Sequence, residues 1–273
     1  MVRVIIHCSD IHIHNFVRME EYAEQLNKFV EKCKEIASKY EEGEVRILIA
    51  GDLVNSKNSV SNELFTFTST FLRQLEKVAP VIVYAGNHDL LTNNTSRIDT
   101  LTGLFDTAGF ENCRFLDQML KYESGCICDD NVVWALYSIF DDFKKPYLEW
   151  VDWQDDTRVI GLYHGMVVGA TLNNGFVIQD GFDGDAFDQC NVVMAGHIHK
   201  KQELKRGDVT ILYPGSLIQQ AFGETVSGHG FAVWNLEDMT YEYVELETDY
   251  GLYDVEIDSI DDIDEDKERL VNF

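Results

Sequence analysis

Five short polar segments, each directly behind a strand-sized apolar run, constrain this chain more than any other feature. Ser9-Asp10-Ile11-His12 follows residues 2–8, Gly51-Asp52 follows Val45–Ala50, and Gly86-Asn87-His88-Asp89 follows residues 81–85. His164-Gly165 and Gly196-His197-Ile198-His199 sit in the same way behind residues 159–163 and 191–195. Between the runs, apolar residues recur at helical spacing. Tyr22, Leu26, Phe29, Val30, Cys33, Ile36, Ala37 and Tyr40 line one helix; Leu64, Phe67, Phe71, Leu75 and Val78 line a second, capped by Ser61. Ile98, Leu101, Leu104, Phe105 and Ala108 suit a third, closed by Gly109. Strands alternating with helices predict an α/β domain whose chemistry lies on the loops at strand ends.

Further strands are expected at residues 131–140 and Val209–Tyr213, a long loop at 141–153, and a closing hairpin with arms 230–236 and 240–246. We place one catalytic domain at residues 1–248 and an acidic extension or partly ordered tail at 249–273. No apolar run approaches the roughly 20 residues that cross a bilayer, and residues 2–8 enter a strand with no signal-peptide pattern. Six dispersed cysteines are expected to be reduced thiols, which together place the chain in a cytoplasm, nucleoid-associated or, for a viral protein, in the host cytoplasm. Cys126 and Cys128 form one close pair, expected to be ordinary strand residues.

One Gly-Asp or one His behind a strand is usually a turn or a core residue. Five in series are a ligand set. Carboxylate with imidazole suits Mn²⁺, Fe²⁺ or Zn²⁺, and the lack of thiolate argues against a structural zinc. Two cations about 3.5–4 Å apart offset phosphodiester charge and activate water. Such a pair needs a shared ligand, and Asp52 is the candidate, because a carboxylate has two oxygens whereas a neutral imidazole offers one lone pair.

Asp10-x-His12, Gly51-Asp52, Gly86-Asn87-His88-Asp89, His164 and Gly196-His197-x-His199 together resemble the calcineurin-like metallophosphoesterase superfamily, over roughly residues 1–246. The resemblance implies a four-layer αββα sandwich. It implies one metal held by Asp10, His12, Asp52 and His199, the other by Asp52, Asn87, His164 and His197, with His88 as general acid. Tyr213-Pro214-Gly215-Ser216-Leu217-Ile218 and Phe222-Gly223-Glu224, with Ile6-His7-Cys8-Ser9-Asp10, resemble the nuclease subunit of SbcCD-type repair exonucleases. That implies a Mn²⁺-dependent DNA exonuclease or endonuclease of repair or recombination, an SMC-like ATPase partner and a homodimer.

Two departures stand out. Three residues beyond Asp52, where repair nucleases place a His and protein phosphatases an Asp, this chain has Asn55, whose amide oxygen can accept from His88 but brings no charge, so we expect the orienting role to be weakened or shared with Asp89. Only 27 residues follow Leu246, little for a cap and an ATPase-binding segment. The formal charge of −26, of which residues 249–273 contribute ten acids and two bases, opposes long-range attraction of DNA. It favours the alternative, a phosphatase or small-molecule phosphodiesterase of the same fold. A non-catalytic binding protein is the third reading, which the intact ligand set opposes. His7 is expected in the core, His14 on a solvated loop and His229 in a turn; Phe65, Phe67 and Phe71 pack or form a dimer face. Lys200, Lys201, Lys205 and Arg206 form either a solvated hairpin or a phosphate contact.

Overall fold

Strands covered on both faces must be apolar along their whole length, and β1 (Val4–Cys8), β2 (Val45–Ala50) and β3 (Val81–Tyr84) are buried at every residue. The computed structural model describes residues 1–57, 59–91, 94 and 96–253. The three strands run parallel, linked by α1 (Met19–Ala37) and α2 (Asn62–Glu76) as crossovers. Ser61 caps α2 by accepting the Leu64 N–H at 3.1 Å. α3 (Thr100–Ala108) ends on Gly109 at φ 62°, as its sequence predicts, and leads to β4 (Cys113–Phe115) and the short α4 (Leu116–Met119).

A second sheet contains β5 (Gly125–Asp129), β6 (Val132–Tyr137), β7 (Arg158–His164), β8 (Val192–Gly196), β9 (Gln202–Arg206) and β10 (Val209–Tyr213). The hairpin β11 (Gly230–Asn235) and β12 (Thr240–Glu245) returns to the first sheet, antiparallel to β1. The strand orders are β12-β11-β1-β2-β3-β4 and β5-β6-β7-β8-β10-β9, an α/β sandwich of two mixed sheets.

The inner faces meet in an apolar layer that includes Ile5, Leu48, Tyr84, Trp134, Leu162, Met194 and Trp234. Burying an aromatic of tryptophan size removes roughly 200 Å² from water, worth up to about 5 kcal/mol before ordering costs. Arg46 on β2 holds Asp129 on β5 through two 2.8 Å bonds, and the Tyr84 hydroxyl donates to the Tyr163 and Met194 carbonyls, so polar contacts also fix one sheet on the other.

Helices α1, α2 and α3 cover the outer face of the first sheet, where Phe29 and Phe71 are buried and Phe65 and Phe67 are partly buried. The outer face of the second sheet is covered differently. Phe143, Leu148, Val151, Phe182 and Phe187 pack on it from irregular segments and a 3₁₀ turn at Gly184–Phe187, so the fourth layer contains no α-helix among the described residues. The expected extension at 249–273 lies outside the described residues from 254 onward. Among the described residues no helix is long and apolar enough to cross a membrane. All six cysteines are free, and Cys126 is buried on β5 while Cys128 is exposed.

Candidate metal centre

β1, β2 and β3 of one sheet and β7 and β8 of the other all deliver their C-terminal ends to one edge of the sandwich, the end where open α/β sheets place their sites. Backbone bonds join the loops there: Asp10 N–H to the Gly51 carbonyl at 3.2 Å, His12 N–H to Asp52 at 2.9 Å, and Ile13 N–H to Leu53 at 3.0 Å. Asp10, His12, Asp52 and His197 hold φ of 52°, 49°, 51° and 93°. Non-glycine residues in the left-handed region cost about 1–3 kcal/mol each and persist where surrounding contacts over-determine them. Gly86 precedes the third segment because a Cβ there would run into the Asp52 carboxylate and backbone.

These turns bring Asp10, His12, Asp52, Asn87, His88, His164, His197 and His199 together from five segments far apart in sequence. Ligand atoms of Asp10, His12 and His199 lie within 4.8 Å of one another, as do those of Asp52, His164 and His197. His12 Nε2 and His199 Nε2 are 3.0 Å apart, and each is 3.8 Å from Asp10 Oδ1. In the second group His197 Nδ1 and Asn87 Oδ1 point at each other across 2.7 Å. Asp52 stands between the groups, its Oδ2 3.5 Å from His12 Nε2 and 3.3 Å from His164 Nε2. Its Oδ1 accepts the His88 N–H at 2.7 Å, which leaves Oδ2 alone facing both groups.

The donor set fits divalent cations. His164 Nε2 is buried without a hydrogen-bond partner, although Asp52 and Asp10 oxygens surround it. A buried polar atom left unpaired costs roughly 1–3 kcal/mol, a cost that a cation among these ligands removes. Burial holds His12 near 3 and His197 near 4, so both are neutral with a lone pair to offer. Burial alone would lower His164 too, but the adjacent Asp52 carboxylate, then the charge of Asp10, raise it to about 9. Burial raises Asp52 less than the charges of His164 and His12 and the His88 N–H lower it, so it stays well below the usual carboxylate range. Adding Mn²⁺ at a hundredfold excess over its Kd is therefore expected to stabilise the fold by about 2.7 kcal/mol, roughly 5 °C in Tm, in a thermal melt. An unchanged Tm would count against ion binding here.

Of the two residues expected to orient His88, Asn55 meets it through its backbone and Asp89 does not meet it. His88 Nδ1 lies 3.1 Å from the backbone carbonyl of Asn55, while the Asn55 side chain turns to His14 Nδ1 at 3.3 Å. Asp89 is wholly buried and accepts the Val54 N–H at 3.1 Å and the Gly86 N–H at 2.9 Å, tying the second and third loops together rather than holding His88. Burial, then the Asp52 charge, pushes its carboxyl up to about 8. His7 is a core residue, its Nε2 3.2 Å from the Ala195 carbonyl. His229 lies in the loop before β11 and is buried there, with Nδ1 3.1 Å from the Ser216 hydroxyl. Among the basic residues, Lys201 sits over the Tyr243 ring, Lys205 contacts Thr210 and Glu203, and Arg206 donates to Val168, which favours the hairpin over the phosphate contact. Glu224, in the sequence only part of a motif, has its Oε1 2.7 Å from His199 Nδ1.

Residues 3–239 match the model of the calcineurin-like phosphoesterase superfamily domain. The chain belongs to that superfamily. Calcineurin-like phosphoesterases are metal-dependent hydrolases, in keeping with the clustered ligand groups, the third of which joins His12, Asp52 and His88. The chain is 32% identical over 269 residues to protein R555 of Acanthamoeba polyphaga mimivirus, covering 94% of this chain but 19% of that protein. It is 25% identical over 260 residues to a subunit of the nuclease SbcCD of Staphylococcus saprophyticus, covering 86% of this chain and 66% of that relative. Among solved structures, an archaeal phosphodiesterase aligns with a TM-score of 0.46 at 14% identity, covering 89% of this chain and 99% of its own.

Proposed function

We propose that this calcineurin-like phosphoesterase is a two-metal DNA nuclease, with residues 1–248 as its catalytic unit and Mn²⁺ as its metal. The observation that carries the reading is the placement of the segment resembling SbcCD nuclease subunits. The Ser9 hydroxyl donates to the Gly215 carbonyl at 3.1 Å, and Glu224 meets a ligand imidazole, so that segment is part of the site's own wall. The identity to the staphylococcal SbcCD protein over most of the chain supports it further. By the same likeness we assign DNA repair, recombination or processing as the setting, an SMC-like ATPase as partner, a homodimer as assembly and a cytoplasm, bacterial or of a viral host, as compartment.

Asp10, His12, Asp52 and His199 hold one ion in this reading, and Asp52, Asn87, His164 and His197 the other. Bound there, such ions would supply charge to offset the phosphoryl oxygens and would lower the pKa of water. The chain does the rest. His88 is partly exposed at the rim, and a proton on Nδ1 donated to the Asn55 carbonyl turns Nε2 toward the substrate, where it protonates the leaving oxygen as general acid.

The charge of −26 favours a second reading, hydrolysis of a small phosphodiester or phosphomonoester, which needs no electrostatic hold on a long polyanion. One experiment separates the two: purified chain with Mn²⁺ against single-stranded DNA, blunt duplex DNA, an aryl phosphodiester and an aryl phosphomonoester, with His88→Ala as control. DNA cleavage at a rate above the aryl esters is the expected result. Turnover of an aryl ester with both DNAs intact would reject the nuclease reading, and turnover of none would favour a binding protein.

A further inference from the structure

The imidazoles of the metal centre are not supported equally. His164 Nδ1 lies 2.9 Å from a neutral acceptor, the backbone carbonyl of Ala50. His12 Nδ1 is buried with no hydrogen-bond partner. His197 turns its Nδ1 to Asn87, inside the ligand group itself. His199 alone of the four meets a carboxylate on the nitrogen that points away from the centre, Glu224 Oε1 at 2.7 Å. That carboxylate is held in turn: Glu224 Oε2 accepts the Gln220 N–H at 2.9 Å and the Ser216 hydroxyl at 3.2 Å, and His229 Nδ1 lies 3.1 Å from the same hydroxyl. Gln220 also donates through Nε2 to the Ile11 carbonyl at 3.0 Å, between the ligands Asp10 and His12.

We propose that Glu224 is a positioning residue that makes the Asp10–His12–His199 group the tighter of the two ion sites. The proposal rests on the two-metal reading of the centre but not on the identity of the substrate. An ionised carboxylate accepting from Nδ1 fixes the imidazole as the tautomer with a lone pair on Nε2, and raises the basicity of that lone pair. A backbone carbonyl fixes the tautomer of His164 but brings no charge. Ser216 and Gln220 hold Glu224 in place from the side away from His199, and His229 lies against Ser216. Glutamine cannot replace it fully. Its amide NH₂ must face either His199 Nδ1, which drives the ring to the wrong tautomer, or the Gln220 N–H, which sets donor against donor.

The test is Mn²⁺ titration of metal-stripped wild type, Glu224→Ala and Glu224→Gln by calorimetry, with electron paramagnetic resonance reporting whether the ions form a coupled pair. Wild type is expected to bind two ions per chain. In Glu224→Ala one ion is expected to weaken by about 10–100-fold, while the other stays within roughly threefold and binds before any coupled-pair signal appears. Glu224→Gln is expected to lie between, with a metal-free melting temperature near wild type. Two ions of wild-type affinity in Glu224→Ala would overturn the proposal, as would equal weakening of both. Should Glu224→Ala fail to fold, wild-type affinities in Glu224→Gln would overturn it alone. A wild type that binds two ions but leaves DNA intact refutes the nuclease reading and not this one; a wild type that binds none refutes both.

Discussion

Asp52→Ala is expected to leave the protein with neither ion and to lower phosphodiester hydrolysis by about 10⁴-fold, some 5.5 kcal/mol of transition-state stabilisation. The expectation follows from one oxygen. Asp52 Oδ2 lies within 3.5 Å of His12 Nε2 and of His164 Nε2, one imidazole from each ligand group. The carboxylate is 2% exposed, and a neutral water in its place would bring no charge to either group. The substitution also strips the acceptor from the His88 N–H, which disturbs the loop carrying the proposed general acid. Asp52→Asn tells the two effects apart: its amide oxygen keeps the His88 bond while the bridging charge is gone, so ion loss without loop disorder is expected. Elemental analysis of dialysed protein checks both variants, and two ions per chain in Asp52→Ala would reject the bridge.

Polar ligands behind apolar strands were legible because nothing else explains them. A buried strand that ends in Ser-Asp-x-His or Gly-His-x-His places groups that are costly to bury where a core would otherwise close. The helices were legible for a similar reason, since Phe29, Cys33 and Leu75 recur on one face and are buried there. What escaped depended on which atom of a residue faces the site. Asn55 looked like an orienting amide, yet its backbone carbonyl meets His88, and residue type says nothing about a carbonyl that every residue has. Asp89 follows His88 directly in sequence, but its side chain points back to two backbone N–H groups. His229 between two glycines resembles a turn, and only the return of β11 to the first sheet buries it against Ser216. β9 was legible only as an arm of the solvated hairpin read at 200–206, because Gln202, Glu203, Lys205 and Arg206 carry no apolar alternation. The outer cover of the second sheet is irregular and has no period to find.

The same atom-level distinction sets the second large effect. His88→Ala is expected to keep both ions, because none of the ligands assigned to either ion is altered, yet to lose about 10²–10⁴-fold in kcat, the usual contribution of a positioned acid. The ring lies against His12, centroids 4.7 Å apart and nearly perpendicular, and its ligand atom lies within 4.8 Å of those of His12 and Asp52, so loss of an ion in this variant would make His88 a ligand instead. A leaving group that needs no proton should hide the defect. With an activated aryl phosphodiester the loss is expected to shrink to about tenfold or less, while with DNA, whose leaving alkoxide is strongly basic, the full loss remains. Equal losses on both substrates would remove His88 from the proton-transfer step and leave it a binding role. Asn55→Ala provides the counterpart: the carbonyl that meets His88 survives the substitution, so activity is expected to stay within about threefold of wild type. A loss comparable to that of His88→Ala would show instead that the Asn55 side chain, through His14, holds the acid in place.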